Sequence, residues 1–252
     1  MNARKAAIVE LLQEEESVRI RDLASRFEVS QMTIRRDLDE MADNGMVIRT
    51  HGGAIPAERL RFLENTLCDA SVSPEKVAIG KLAASLVSSG QTIMVDAGTT
   101  TLEVARNLPQ SMRITVATTS LCVAQLLYDS PIDVLLLGGL LRKEFPSMYG
   151  PMTESMLSGF HVDTLFIGSD GANSIDGFYT TEARISSLEQ TMIRIAERVV
   201  LVSESSKFGR RAFVRYATPR DIDVVVTDEN LSGQDRRNLE EQGVEVLIAR
   251  SL

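Results

Sequence analysis

The chain has 252 residues and a formal net charge of −8, so its length suits a small domain plus a larger one, and its charge excludes polyanion binding by bulk electrostatics alone. It shows no apolar signal region at its start and no apolar run long enough to span a membrane, so we expect a soluble, cytoplasmic protein. Cys68 and Cys122 are far apart and only two histidines are present, so we expect reduced thiols, no metal site and no cofactor.

Residues 1–30 predict two short helices that share an apolar core. The first helix carries apolar clusters at Ala6–Ile8 and Leu11–Leu12. A short extended segment follows at Ser17–Val18, and apolar residues then recur at helical spacing between Ile20 and Phe27. A three-residue turn ends this second helix, so a helix-turn-helix arrangement is expected.

A third helix is predicted from Val29 to Gly45. Ser30 is a good N-cap, Gly45 suits a C-cap, and apolar residues at helical spacing bury one face, namely Ile34, Leu38 and Met41. The N-terminal end leaves five residues off this face, which are Gln31, Met32, Thr33, Arg35 and Arg36. Such an end can read base edges and phosphates in a major groove. The alternative is an ordinary amphipathic helix whose arginines pair with Asp37, Asp39 and Glu40.

The segment after the third helix has the pattern of a β-hairpin. Met46–Thr50 predicts a strand and His51–Ala54 a tight turn, which completes a winged helix-turn-helix. Residues 1–55 hold 8 Lys or Arg against 10 Asp or Glu. DNA binding must therefore depend on where Arg35, Arg36 and Arg49 are placed rather than on the charge of the domain.

The motifs of residues 29–54 resemble those of a known family. The run Val-Ser-x-x-Thr-Ile-Arg-Arg-Asp-Leu, followed by Gly45 and then Arg-Thr-His-Gly-Gly-Ala from Arg49, is similar to the N-terminal signature of the DeoR family of bacterial transcription regulators. The resemblance implies double-stranded operator DNA as a partner and puts His51 in the wing; the alternative for His51 is a polar residue in an exposed turn. The predicted DNA-binding residues are Ser30, Gln31, Met32, Thr33, Arg35, Arg36, Arg49 and His51.

A change of pattern separates this domain from the rest of the chain. Between residues 56 and 72, charged residues interrupt any apolar stripe, and Ser73-Pro-Glu then opens a new helix with an N-cap and a proline at the first helical position. We predict a winged helix-turn-helix domain at 1–55, a linker at 56–72 and a larger domain at 73–252.

The larger domain alternates short β-rich runs with helical patterns. The predicted strands are 92–95, 114–117, 134–137, 164–167, 199–202, 224–227 and 244–248. The predicted helices lie near 76–87, 101–108, 120–128, 152–158, 183–197 and 234–241. Apolar strands separated by amphipathic helices indicate an α/β fold with a parallel sheet that is covered on both faces.

Ligands bind such sheets at the carboxyl ends of the strands, where two glycine-containing loops are expected. Asp96-Ala-Gly-Thr-Thr-Thr offers a backbone that a ligand can approach at Gly98, with the hydroxyls of Thr99, Thr100 and Thr101 and a helix N-terminus to hold a phosphate. The alternative is that these residues only cap the next helix. Gly138–Gly139 also permits close approach of a ligand, or is simply a turn.

A third set of polar residues follows two later strands. Asp170 and Asn173 lie after one strand, and Lys207 lies after another, in Ser-Lys-Phe-Gly. Lys207 is a suitable point charge for a phosphate, and the alternative is a solvated lysine at a strand end. Together the loops favour a site for an anionic small molecule. The predicted effector-binding residues are Asp96, Gly98, Thr99, Thr100, Thr101, Gly138, Gly139, Asp170, Asn173 and Lys207.

These loops extend the resemblance over nearly the whole chain. Asp-x-Gly-Thr-Thr-Thr, Leu-Leu-Gly-Gly and Ser-Lys-Phe-Gly recur in the sensor domain of DeoR-family proteins, which is similar to ribose-5-phosphate isomerase. The resemblance implies a repressor of carbohydrate-use genes that is controlled by a phosphorylated sugar or a related metabolite. A homodimer or homotetramer is expected for reading a repeated operator.

The chain also departs from the family pattern. Ser187 stands where an acidic residue is common and Glu189 where a basic one is, Thr119 replaces Asn, and Glu204 replaces Asp. These departures leave the identity of the effector open. The rival hypothesis is an isomerase-like enzyme, which needs a carboxylate to move a proton between sugar carbons. Asn173 occupies the position of the catalytic acid in the isomerases, and an amide cannot take up that proton, so we predict that the protein is not an enzyme.

Overall fold

The computed structural model describes residues 3–14, 17–43, 46–50, 52–56, 68, 72–143 and 145–250. The chain divides into two compact units, Met1–Asp69 and Ala70–Leu252. The predicted C-cap at Gly45, the wing residue His51 and most of the linker at 56–72 lie outside the described residues. The boundaries of the predicted domains therefore stay a prediction.

The described residues of the N-terminal unit form three helices and a small sheet. The helices are α1 (Ala3–Glu14), α2 (Ile20–Arg26) and α3 (Gln31–Asp43), and the strands are β1 (Val18–Arg19), β2 (Val47–Thr50) and β3 (Gly53–Pro56). The sheet is antiparallel with the order β1-β3-β2. A Cβ atom on Gly53 would lie 1.8 Å from the carbonyl oxygen of Val18, so the wing packs against β1 only with glycine at this position.

The core of this unit is built by the predicted apolar face of each helix. Ile34, Leu38 and Met41 of α3 are fully buried and pack with Ile8 and Leu23 of the two preceding helices. Ser30 caps α3 as predicted, because its hydroxyl oxygen accepts a hydrogen bond from the backbone N–H of Thr33 at 3.2 Å. These observations confirm the winged helix-turn-helix fold.

A parallel sheet forms the centre of the C-terminal unit. Its strands, within the described residues, are β4 (Thr92–Val95), β5 (Thr115–Thr118), β6 (Asp133–Leu136), β9 (Val162–Ile167), β12 (Ala196–Val202), β14 (Val224–Asp228) and β15 (Glu245–Ala249). The helices are α4 (Pro74–Ala84), α5 (Thr99–Arg106), α6 (Leu121–Leu127), α7 (Pro151–Leu157), α8 (Ala183–Ile195) and α9 (Gly233–Glu241). The predicted α/β fold is confirmed.

The order of the strands reverses once along the chain. The strand order across the sheet is β15-β14-β12-β9-β4-β5-β6. The chain forms β4, β5 and β6 in sequence toward one edge of the sheet, and β9 then pairs with the other side of β4. A crevice forms between two neighbouring parallel strands when the connections that follow them leave in opposite directions. Ligands bind open α/β sheets at this position. The carboxyl ends of β4 and β9 therefore define the expected position of a site.

Several short antiparallel strands were not predicted. They are β7 (Leu140–Arg142), β8 (Ser147–Tyr149), β10 (Gly171–Asn173), β11 (Gly177–Thr180) and β13 (Val214–Ala217). β7 pairs with β8, and β11 pairs with both β10 and β13. Each has only three or four residues, which is too few for a period-two pattern to stand out. They matter because β7 and the loop after it contribute to the site.

Two expectations from composition can be compared with the structure. No helix in the described ranges is long and apolar enough to cross a membrane. The prediction of reduced thiols is wrong, because the described residues include no free cysteine.

Candidate DNA interface and effector cavity

The N-terminal turn of α3 presents the predicted reading residues to solvent. Ser30, Gln31, Met32, Arg35 and Arg36 are exposed and Thr33 is half-buried. The apolar stripe of α3 faces the core, so the opposite face of its first two turns is left for a partner. This is the part of a recognition helix that contacts base edges and phosphates.

Three acidic residues of α3, Asp37, Asp39 and Glu40, pair with other parts of the domain. Each of the three acids forms its ion pair outside α3, and neither Arg35 nor Arg36 forms an ion pair with any residue that the structure describes. The alternative interpretation of α3, in which its arginines pair with its own acids, is therefore not what the fold adopts. The pairs are Arg4–Asp37 at 2.5 Å, Lys5–Glu40 at 2.5 Å and Arg49–Asp39 at 2.8 Å.

Arg49 differs from the arginines of α3 because it is engaged within its own domain. Its Nε donates to Asp39 Oδ1 at 2.8 Å and one terminal nitrogen donates to the carbonyl oxygen of Gly53 at 2.7 Å. The guanidinium thus joins the wing to α3, and it is not free to extend toward DNA in this conformation. His51 lies outside the described residues, so both wing residues stay predictions.

A cavity of about 170 Å³ lies at the carboxyl ends of the central strands. It brings together seven of the predicted effector-binding residues, which are Asp96, Gly98, Thr99, Thr100, Thr101, Asp170 and Lys207. The loop after β4, the loop after β9 and the loop after β12 supply them. The cavity therefore lies at the point where the strand order reverses, as expected for a ligand site.

The threonine loop holds its own shape and leaves two hydroxyls available. The hydroxyl of Thr101 donates to the carbonyl oxygens of Asp96 at 2.7 Å and Gly98 at 3.0 Å. Thr101 thus fits the capping alternative. The side chains of Thr99 and Thr100 form no hydrogen bond within the described residues and line the cavity. They stand at the N-terminus of α5, where unsatisfied backbone N–H groups attract anions.

The loop that carries Lys207 is held by a buried carboxylate. Asp228 accepts the backbone N–H of Ser205 at 2.7 Å and its hydroxyl at 2.6 Å. Burial opposes ionisation of Asp228, but the hydrogen bonds from Ser205 and Asn230 outweigh it and lower its pKa. Lys207 itself forms no ion pair with a described residue, so its ammonium is available to a ligand in the cavity.

A second basic residue reaches the cavity from α4. The Nζ of Lys76 lies 3.5 Å from Glu204 Oε2, and Glu204 also accepts the hydroxyl of Ser73 at 2.7 Å. Glu204, one of the departures from the family pattern, therefore connects the start of α4 to the loop after β12. This ion pair largely balances the charge of Lys76.

The cavity lining also holds acidic side chains. Burial raises the pKa of Asp96, and backbone hydrogen bonds from Ala97 and Gly168 only partly offset this. Burial, helped by repulsion from Asp96 and Asp170, raises the pKa of Glu189 to about 9. The cavity thus contains a carboxyl group that keeps its proton at neutral pH.

Three predicted residues are not part of this cavity. Gly138 accepts a hydrogen bond from the hydroxyl of Thr153 at 2.8 Å, and a Cβ on Gly139 would lie 2.0 Å from that hydroxyl oxygen. The glycine pair thus packs against α7 beside the edge strand β6, at a distance of two strands from the crevice. Asn173 uses its side-chain oxygen to accept the N–H groups of Ile175 and Asp176, which shapes a turn.

Several lining residues were not predicted as site residues. Sequence reasoning missed Lys76, Arg142, Phe145, Ser169, Glu189, Ser203 and Glu204. Arg142 and Phe145 come from β7 and the following loop, and Lys76 comes from α4, so only the folded chain brings them together. Glu189 and Glu204 could have been singled out from the sequence, because both depart from the family pattern and both line the cavity.

Protein families match both the N-terminal and the C-terminal unit of the chain. Residues 4–59 match the DeoR-like helix-turn-helix domain, and residues 71–229 match the DeoR C-terminal sensor domain. The chain is 36% identical to the HTH-type transcriptional regulator GlpR of Haloferax volcanii, over 97% of this chain and 96% of that protein. It is 33% identical to the HTH-type transcriptional repressor GlcR of Bacillus subtilis, over 97% of this chain and 95% of that protein.

Solved structures resemble part of the chain more distantly. Ribose 5-phosphate isomerase A from Neisseria gonorrhoeae matches with a TM-score of 0.40 and 18% identity, over 54% of this chain and 53% of that one. The eIF2B beta subunit from Chaetomium thermophilum matches with a TM-score of 0.47 and 14% identity, over 74% of this chain and 55% of that one.

Proposed function

Because the chain belongs to the DeoR family of DNA-binding transcriptional regulators, we propose that it represses carbohydrate-use genes in the cytoplasm under control of a phosphorylated sugar or related anionic metabolite. The effector would occupy the cavity at the carboxyl ends of β4, β9 and β12. Operator DNA would contact the exposed end of α3. The family is one of regulators, and this agrees with the prediction that the protein is not an enzyme.

The observation that carries the proposal is the arrangement at the start of α5. Thr99 and Thr100 present hydroxyls to the cavity beside the helix N-terminus, and Lys207 lines the same cavity. A phosphate needs several donors and a positive potential, and this end of the cavity offers both. The relatives GlpR and GlcR are named as a transcriptional regulator and a transcriptional repressor, which supports coupling of such a site to DNA binding.

A homo-oligomer is part of the proposal. Operators with repeated half-sites are read by symmetric assemblies. At one edge of the sheet, the end of β6, β7 and α7 present five exposed apolar side chains, here called the apolar edge, which are Leu136, Leu140, Leu141, Met152 and Met156. An exposed apolar cluster beside an unpaired edge strand is a suitable surface for a second copy of the chain.

The isomerase alternative lacks its proton carrier. In that reaction a carboxylate moves a proton between adjacent carbons of the sugar. Asn173 stands in the corresponding position, and its amide accepts two backbone N–H groups of a turn instead of facing the cavity. We therefore propose that the C-terminal unit binds a sugar phosphate and does not convert it.

The test combines DNA binding with ligand binding in the full chain. Mobility shifts with DNA from upstream of its own gene are expected to show a specific complex, and a panel of pentose and hexose phosphates is expected to change its affinity. Effectors that bind the native state also raise the melting temperature. Lys207→Ala is expected to lose the ligand response and keep DNA binding. A DNA complex indifferent to every phosphorylated sugar, with no change in melting temperature, would contradict the proposal.

A further inference from the structure

Glu189 is a buried carboxyl group in the wall of the cavity. Its side chain is 6% exposed, it lines the cavity, and its Oε2 has no hydrogen-bond partner among the described residues. The hydroxyl of Thr180 bonds to the same carboxyl group. A buried polar atom without a partner is costly, so a ligand that supplies one is favoured.

Acidic side chains outnumber basic ones in the lining of the cavity. Its lining holds three basic side chains, Lys76, Arg142 and Lys207, against four acidic ones, Asp96, Asp170, Glu189 and Glu204. Lys76 is paired with Glu204, and Arg142 is paired with Glu182 at 2.5 Å. Lys207 and the N-terminus of α5 are therefore the positive groups left for a ligand, in a lining that also holds the carboxyl groups of Asp96, Asp170 and Glu189.

This balance does not suit a ligand that carries only negative charge. A phosphate monoester brings about two negative charges at neutral pH, and the cavity has no excess of positive side chains to receive it. The lining instead holds two kinds of group: Thr99, Thr100 and Lys207 can donate to an anion, and Glu189, Asp96 and Asp170 can accept from a cation. A ligand with a phosphate and an ammonium group would match both kinds.

We infer that the effector is an amino-sugar phosphate or a similar phosphorylated amine, whose ammonium group is received by Glu189 beside Asp96 and Asp170. The inference rests on the proposed function and specifies its ligand. The ammonium donates to the unused Oε2 of Glu189, and the phosphate occupies the donors at the start of α5. A neutral hydroxyl at the same place can share a hydrogen bond with Glu189 but does not favour its ionised form.

Binding of such a ligand is linked to a proton. The groups that face Glu189 are Asp96, Asp170, Arg142 and Thr180. Burial and repulsion from the two aspartates raise its pKa and keep its carboxyl protonated at neutral pH, and Arg142 and Thr180 offset this only in part. An adjacent ammonium favours the ionised form. The protonated carboxyl then gives its proton to solvent, and a carboxylate–ammonium pair forms in its place.

The experiment compares matched ligands on the full chain at pH 6.5. Glucosamine 6-phosphate and glucose 6-phosphate differ by an amine in place of a hydroxyl, as do 2-aminoethyl phosphate and 2-hydroxyethyl phosphate. Isothermal calorimetry is expected to show at least about tenfold tighter binding of the amine within a pair, the effect of one charge-assisted hydrogen bond. Measurements in two buffers of different ionisation enthalpy are expected to show additional proton release for the amine.

Variants assign the preference to Glu189. Glu189→Gln removes the charge and keeps the shape, so the preference for the amine is expected to disappear. Ser187→Ala is the control on the same helix, because Ser187 is exposed and bonds to Glu154 outside the cavity; it is expected to keep the preference.

The outcomes separate this inference from the proposed function. Equal binding within both pairs, or a preference for the hydroxyl ligands, overturns the inference and leaves phosphate sensing intact, provided that inorganic phosphate still raises the melting temperature. Failure of all four ligands and of inorganic phosphate to bind overturns both. An amine preference that persists in Glu189→Gln also overturns the assignment to Glu189.

Discussion

Glu189 makes the stability of the folded chain depend on pH. Its pKa is about 9 in the fold against an ordinary value of 4.5, so between these values the folded chain keeps a proton that the unfolded chain has lost. Stability therefore falls as pH rises through this window, by at most about 1.4 kcal/mol per pH unit. Glu189→Gln is expected to unfold at a higher temperature than the wild type, with a difference that grows from pH 5 to pH 8.5 in thermal melts.

A control separates this effect from the general loss of an acid. Glu241 lies exposed on α9, so Glu241→Gln is expected to follow the wild-type curve across the same pH range. Parallel curves for Glu189→Gln and the wild type would show that Glu189 ionises normally in the fold. That result would also remove the proton linkage proposed for ligand binding.

Thr99 tests the phosphate end of the cavity with a change of a single group. Thr99→Val keeps the shape and removes a hydroxyl that has no hydrogen bond in the described residues, so the fold is expected to be unaffected. Loss of one hydrogen bond of about 0.5–1.5 kcal/mol predicts roughly 2-fold to 12-fold weaker phosphate binding. Calorimetry with the sugar phosphate that releases DNA measures the change, and DNA affinity without ligand is expected to stay the same.

Thr101 provides the contrast within the same loop. Its buried hydroxyl donates to the carbonyl oxygens of Asp96 and Gly98, so Thr101→Val leaves buried acceptors with fewer partners. We expect it to lower stability by about 1–3 kcal/mol in urea unfolding. If Thr99→Val lowered stability as much as Thr101→Val and left ligand affinity unchanged, Thr99 would be a capping residue and not a ligand contact.

At the level of elements, α3 carries the DNA-binding prediction. Arg35 and Arg36 are exposed and form no ion pair with described residues, so alanine at either position is expected to leave the fold intact. Loss of a base or phosphate contact costs about 1–3 kcal/mol, and so about 5-fold to 160-fold in operator affinity, with a smaller salt dependence when a phosphate contact is lost. Mobility shifts at several salt concentrations measure both quantities.

The matched control for α3 is an exposed arginine of the other unit. Arg236 pairs with Glu240 on the surface of α9 at 2.8 Å, so Arg236→Ala is expected to bind the operator like the wild type. If Arg35→Ala and Arg36→Ala also footprint the operator like the wild type, α3 is not the recognition helix.

Elements with a long periodic pattern were predictable, and contacts made by short segments were not. The strands β4 and β14 are continuous apolar runs, and α3 has a clear apolar stripe. The ends predicted for these three elements therefore agree with the structure to within one or two residues. The hairpin of β7 and β8 has three-residue strands, and the role of Arg142 in the cavity follows only from that hairpin. Arg49 was predicted as a DNA contact, but an acceptor on β3 and an acid on α3 hold its guanidinium.

In the effector cavity too, residues that are close together in the sequence were predictable, and residues brought in from distant segments were not. Asp96 to Thr101 form one continuous loop between a strand and a helix, so sequence alone brought them to the end of the sheet. Gly138 and Gly139 satisfied the same rule but follow β6, and the position of β6 at the edge of the sheet depends on pairing that sequence does not reveal. Glu189 lies on the buried face of α8, where its neighbours come from several other segments.

The whole molecule has a net charge of −8 and exposes apolar residues. Association with a second copy of the chain would account for both features. Negative charge on a regulator disfavours single-site binding to DNA, so two linked half-sites are needed for useful affinity. The apolar edge is the surface we expect to join two copies. Leu140 and Met152 are its two most exposed side chains, with exposed fractions of 58% and 72%.

A charge placed in this surface is expected to separate the copies. Leu140→Glu and Met152→Glu should lower the mass in light scattering after size exclusion from that of an oligomer to that of one chain, because an interface does not tolerate an unpaired buried carboxylate. Operator affinity should fall by about tenfold or more as the second half-site is lost, while sugar-phosphate binding to each chain persists. Phe213→Glu, at a residue 78% exposed on a different part of the unit, should keep the oligomer. A wild-type mass for both edge variants would mean that another surface joins the copies.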